Sequence, residues 1–209
     1  MKIIEAGYEI LTPIDGLNIL KHIERIGRVC YKSEDKITDD SSLSFVKMLI
    51  NRGHEAMIEH YAFSVKFICD RGISHEIVRH RPAAYAQEST RFCNYSDDKF
   101  NNEITVIKPC FLHDEESDGR QEAAWLYACK TAEQCYFQMI KFGASPQEAR
   151  SVLPNSLKTE IICTYNLREW RHFLKLRTSC TAHPQMIEIL MPLLLELRGI
   201  IPIVFDDIL

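Results

Sequence analysis

The sequence predicts a domain that mixes strands with helices, and three observations carry that reading. Apolar residues recur at helical spacing, as at Leu17, Leu20, Ile23 and Ile26. Alternating stretches such as Tyr61 to Cys69 read as strands lying between such helices. No repeat, low-complexity tract or linker divides residues 1–209, which therefore read as one domain. A 46% hydrophobic and 26% charged composition is ordinary for a soluble folded chain. At this length roughly 70% of the unfolded surface can be buried.

Taken in order, Lys2 to Leu11 reads as a strand broken by Thr12-Pro13. Asp15 can cap a helix running to about Ile26, and 32–40 is a polar loop. A second helix follows the caps Asp39, Asp40 and Ser41, with Leu43, Val46, Leu49 and Ile50 as its apolar face. Gly53 suits the left-handed stop of that helix. After the strand Tyr61 to Cys69, Asp70 can cap a helix from Arg71 to His80, because Pro82 disfavours helical geometry at Arg81. Asn94 to Asn102 is a loop, Ile104 to Ile107 a short strand and Asp114 to Arg120 an acidic loop. Gln121 to Phe142 is a long amphipathic helix stopped by Gly143. Ser145-Pro146-Gln147-Glu148 opens a helix that carries Arg150 and ends at Pro154. Leu157 to Tyr165 is a strand, Asn166 caps a helix to about Leu176, and Pro184 opens a last helix from Gln185 to Arg198.

Several function classes are disfavoured. A net charge of −4 gives no reason to expect nucleic-acid or membrane binding. The apolar run from Met186 to Ile203 is interrupted by Glu188, Glu196, Arg198 and two prolines, and the N-terminus lacks a signal-peptide layout. A cytoplasmic location is expected. Eight cysteines without CxxC spacing read as buried or incidental thiols. His54, Glu55, Glu59 and His60 resemble a zinc helix motif with one residue too many, so no metal is expected. Ser89 lacks the glycines of a nucleophile elbow, and Cys93 and Cys180, though near arginines, show no partner. No GxGxxG or GxxxxGK[ST] is present. An RNA-binding module stacking bases on Tyr85, Phe92 and Tyr95 is the competing class, opposed by the acidic net charge and the lack of a basic stripe.

The richest chemistry lies between Arg79 and Phe92. Arg79-His80-Arg81 opens this stretch, and Gln87, Glu88, Ser89 and Arg91 close it. Guanidinium forks suit phosphate and carboxylate, so the stretch reads as a site for a phosphorylated, hydrogen-bonding ligand.

Arg79-His80-Arg81, then seven residues, then Ser89, resembles the signature of flavin-dependent thymidylate synthases. Gly53-His54-Glu55, Glu59-His60, Arg150 with Val152-Leu153-Pro154, Asn166 with Arg168, Arg177, His183 and Gln185 follow in that family's order. The resemblance implies an α+β fold, an antiparallel sheet surrounded by helices. It implies methylation of dUMP to dTMP, with the one-carbon unit from methylenetetrahydrofolate and reducing equivalents from NADPH through FAD. It also implies a homotetramer with shared active sites and no enzyme nucleophile. Carried over by position, Arg79, His80, Arg81, Gln87, Asn166, Arg168 and His172 contact flavin, with His54 and Ala56 where another subunit approaches it. Glu76, Arg79, Gln87, Glu88, Ser89, Arg91, Arg150 and Arg177 hold dUMP, and Arg177 is the catalytic group. The chain departs from the family where Ala84-Tyr85-Ala86-Gln87 replaces Ser-x-Asn-Glu, with the carboxylate displaced to Glu88.

Overall fold

The computed structural model describes residues 1–113 and 119–208, so most of the expected acidic loop at 114–120 lies outside the described residues. The fold is α+β. Its strands are β1 (Lys2–Ile4), β2 (Gly7–Ile10), β3 (Ala62–Asp70), β4 (Ala84–Gln87), β5 (Thr105–Ile107) and β6 (Lys158–Asn166). Its α-helices are α1 (Gly16–Tyr31), α2 (Ser41–Asn51), α3 (Arg71–Ile77), α4 (Arg120–Lys141), α5 (Pro146–Ala149), α6 (Leu167–Arg177) and α7 (Pro184–Ile200).

The main sheet has the order β2-β3-β6-β4. Its neighbours run antiparallel. Leu11 N–H donates to Ser64 O while Lys66 pairs with Glu9. Leu167 N–H donates to Tyr61 O, and Arg71 N–H to Leu157 O. The single strand expected over Lys2 to Leu11 is instead two, because β1 leaves to pair in parallel with β5, Ile3 against Val106.

Contacts divide the chain into two compact units, residues 1–7, 67–79 and 86–162, and residues 8–66, 80–85 and 163–209. In the first, Asp70 caps α3 by accepting the Ile73 N–H at 2.7 Å. That helix ends at Ile77, earlier than the expected His80, and residues 78–79 form a turn. Cys129 and Tyr136 of α4 join Tyr95, Ile104, Val106, Ala149 and Leu157 in one core. Gly143 stops α4 with φ 95°, open to glycine and costly for other residues. Ser145 and Glu148 cap α5 reciprocally, and Arg150 stands just past the helix it was expected to lie on.

In the second unit, Asp15 caps α1 through the Asn18 N–H. The helix runs past Ile26 because Gly27 is a packing position and not a stop. A Cβ there would lie 2.6 Å from the Phe45 ring. On α2 the buried residues are Ser42, Phe45, Val46 and Leu49, whereas Leu43 is exposed, so the expected apolar face is rotated. Asn166 caps α6 by accepting the Glu169 N–H at 2.9 Å. Trp170 of α6 is fully buried, stacked on Phe63 at 4.9 Å and packed on Tyr165 and Phe173. Among the described residues no helix is long and apolar enough to cross a membrane.

Candidate functional site

In the second unit a cleft of about 520 Å³ opens beside α6. Helical spacing aims Arg168, Arg171, His172 and Lys175 toward it while Trp170, Phe173 and Leu174 are buried in the core. Arg81 and Pro82 form another part of its lining, and Glu55 and Glu59 of the 3₁₀ turn Glu55–His60 a third. Arg168 pairs with Glu59 at 2.5 Å and Glu55 at 3.7 Å. Arg171 is buried and donates to Glu55, to the Val204 carbonyl and to both oxygens of Asp207. Burying a guanidinium is tolerable only with such paired acceptors.

Arg171 holds the Asp207 carboxyl below its ordinary 3.8, chiefly through its hydrogen bonds. A carboxylate with a depressed native pKa stabilises the fold above its unfolded value and loses that contribution as pH falls through the native value. Asp207 is half-exposed, so solvent discounts the pair. Asp207→Asn is expected to cost about 1 kcal/mol at neutral pH. That difference from the unsubstituted chain should shrink below pH 3.8, as urea unfolding midpoints at the two pH values will show.

Behind the cleft lies a buried polar group. His80 is 5% exposed and packs edge-on against Phe173 at 4.6 Å. Arg177, in the last turn of α6, donates from Nε to His80 Nε2 at 3.1 Å. His80 Nδ1 faces Glu169 Oε1 at 3.7 Å. Tyr85 hydroxyl donates to the His80 carbonyl at 2.8 Å and fixes this loop. Arg81 stacks over the Tyr85 ring at 5.1 Å. Arg81–Pro82 is a cis peptide.

The first unit holds the other cluster. Gln87, at the end of β4, donates its amide to Ser74 Oγ and Thr159 Oγ1. Glu88 pairs with Lys158 at 3.0 Å and accepts from the Tyr95 hydroxyl. Burial alone would lower the Lys158 pKa, but Glu160 and Glu88 hold it above its ordinary value. Ser89 Oγ accepts the Arg91 N–H in a tight turn. Arg91 donates from Nε to Gln147, and Arg150 to Thr90. Both arginines remain exposed, which suits an anion arriving from solvent.

The sequence-predicted residues thus fall into separate groups. Arg81, Asn166, Arg168 and His172 line the cleft. His80 and Arg177 stand together behind it. His54 is exposed on the same unit and meets Tyr31 hydroxyl at 3.2 Å, outside the cleft lining. Arg79, Glu76, Gln87, Glu88, Ser89, Arg91 and Arg150 belong to the other unit. Sequence reasoning missed Glu169, Arg171, Lys175 and Lys158. The available signal was the spacing of Arg168, Arg171, His172 and Lys175 along one amphipathic helix.

Residues 15–203 match the family model described as thymidylate synthase complementing protein. A flavin-dependent thymidylate synthase of Geobacter sulfurreducens is 30% identical over 188 residues, covering 86% of this chain and 78% of the relative. One from Corynebacterium aurimucosum is 33% identical over 202 residues, with 88% and 78% covered. A solved UMP/dUMP methylase of Streptomyces cacaoi, bound with 5-Br dUMP, superposes with a TM-score of 0.81 at 18% identity, covering 99% of this chain and 96% of that one, and so shares the fold. The match across most of the chain, on a sequence that carries the Arg79-His80-Arg81 to Ser89 signature, shows that the chain belongs to the family of flavin-dependent thymidylate synthases.

Proposed function

We propose that this chain methylates dUMP to dTMP in the cytoplasm. In this reading methylenetetrahydrofolate supplies the carbon, NADPH supplies reducing equivalents, and residues 1–209 act as one functional domain of a homotetramer with shared active sites. The observation that carries the reading is the cleft beside α6, where the donors of Arg81, Arg168, His172 and Lys175 collect alongside the carboxylates of Glu55 and Glu59. That donor set fits the diphosphate of FAD, since guanidinium and ammonium groups are what phosphate oxygens accept from. Bound flavin supplies the hydride chemistry, and the protein supplies position and electrostatics.

Arg81 and Arg168 would hold the anionic part of the cofactor, and Arg79 and Asn166 are proposed as further flavin contacts. Asn166 also caps α6 through its side-chain oxygen, so its amide nitrogen is the group left for a ligand. Ser89, Arg91 and Arg150 would take the dUMP phosphate. The Lys158 ammonium offsets the Glu88 charge, which would otherwise repel that phosphate. Gln87 is braced by two hydroxyls and presents its carbonyl oxygen, and Glu76 completes the set. Arg177 would orient the uracil and stabilise negative charge developing on it, with no nucleophile from the protein.

The test is direct. Purified protein titrated with FAD should take up one flavin per chain and turn yellow. It should then release tritium from 5-tritiated dUMP only when folate and NADPH are present. Failure to bind FAD at micromolar concentration would sink the reading.

A further inference from the structure

Glu169 has no role in the assignment above, yet its carboxylate is 6% exposed and its Oε1 has no hydrogen-bond partner among the described residues. Burial pushes its pKa up, against the charge of His172 and the Arg81 backbone N–H. Such a group is costly to keep and calls for a function.

Its neighbour explains it. Arginine Nε always carries hydrogen, so His80 Nε2 must offer a lone pair to Arg177 at 3.1 Å. A neutral imidazole then has its one proton on Nδ1, the atom that faces Glu169. At 3.7 Å the contact is beyond hydrogen-bond length and acts through charge.

We infer that Glu169 is a positioning residue: its carboxylate keeps the His80 proton on Nδ1, so that Nε2 stays an acceptor and aims Arg177. If the negative charge is lost, nothing holds the proton on Nδ1 and it can move to Nε2. That change sets a donor against the Arg177 donor, and the guanidinium turns away. His80, Glu169 and His172 also bring their ligand atoms within 4.8 Å of one another, as a cation would require. A metal on Nδ1, however, would leave hydrogen on Nε2 facing Arg177, so the observed hydrogen bond favours the tautomer role. The groups facing Glu169 are His80, the Arg81 backbone, His172 and Tyr85.

The inference rests on the reading of Arg177 as a dUMP contact, and two measurements on the FAD-loaded enzyme keep them apart. The first is a double-mutant cycle on dUMP affinity. Glu169→Gln should weaken dUMP binding about tenfold when flavin is held at saturation. In an Arg177→Lys background, which lacks the Nε–H donor, the same change should add less than twofold. Equal effects in both backgrounds would overturn the inference. The second is nitrogen-15 spectroscopy of His80 without substrate. The proton should reside on Nδ1 in the unsubstituted enzyme and redistribute to Nε2 in Glu169→Gln. A proton found on Nε2 in the unsubstituted enzyme overturns the inference, whether or not the variant folds. Absence of dUMP binding by the unsubstituted enzyme would instead remove the functional reading, and the spectra would still decide the tautomer.

Discussion

Replacing Arg177 with alanine is expected to lower kcat/KM for dUMP by about 100-fold while FAD uptake persists. A hydrogen bond to a charged group contributes about 1.5–3 kcal/mol, and each 1.4 kcal/mol is a factor of ten. Arg177 would make such contacts to a uracil whose charge grows as the reaction proceeds, so the loss should exceed that of a ground-state contact. A second effect adds to it. The guanidinium is the donor to buried His80 Nε2, and its removal takes that partner from an imidazole that is 5% exposed. Arg177→Lys keeps the charge without the fork and should fall between the two. Tritium release and equilibrium dUMP binding on the FAD-loaded enzyme measure both. A dUMP affinity within twofold of the unsubstituted value would mean that Arg177 does not touch the nucleotide.

The sequence revealed best whatever depended on neighbouring residues. Asp15, Asp70, Asn166 and the Ser145–Glu148 box each cap the helix expected of them, because a cap needs only a side chain and the next turn. Helix ends set by packing were less legible. The first helix was expected to end at about Ile26, but Gly27 continues it as a contact position whose partner is Phe45 on another helix. The split of the first strand was invisible because β1 finds its partner about a hundred residues away, at Val106. The site shows the same division. The arginine-rich stretch from 79 to 91 could be read directly, since its residues adjoin. Glu169 could not. It follows Arg168 and stands two residues before Arg171 on an amphipathic helix, where it looks like an exposed partner for either, and only the fold turns it inward toward His80. Glu88 likewise read as a dUMP contact, and its ion pair with Lys158, across the β4–β6 edge, gives it a counterion that spacing alone did not reveal.

Trp170→Ala is expected to be the most damaging single substitution in the second unit. The indole is fully buried, stacked 14° from parallel on Phe63 and packed against Tyr165 and Phe173. Truncating a buried tryptophan costs roughly 4 kcal/mol from lost transfer energy and the cavity left behind. The indole N–H also donates to the Phe63 carbonyl at 3.2 Å, and alanine takes that donor away. For a chain of this size the change should lower the melting temperature by roughly 10 °C. Trp170→Phe keeps most of the packing and should lose roughly half as much. The substitution also separates scaffold from chemistry. Trp170 lies between Glu169 and Arg171 but points into the core, so it touches no assigned ligand. Well below its melting temperature, Trp170→Ala should therefore keep tritium release within a few-fold of the unsubstituted enzyme, whereas Arg177→Ala should lose activity at every temperature. A thermal melt followed by dichroism, paired with rates at low temperature, separates the two. If Trp170→Ala melts within 3 °C of the unsubstituted protein, α6 is not anchored by this side chain, and the origin of the cleft's geometry must be sought in the Arg171 ion pairs instead.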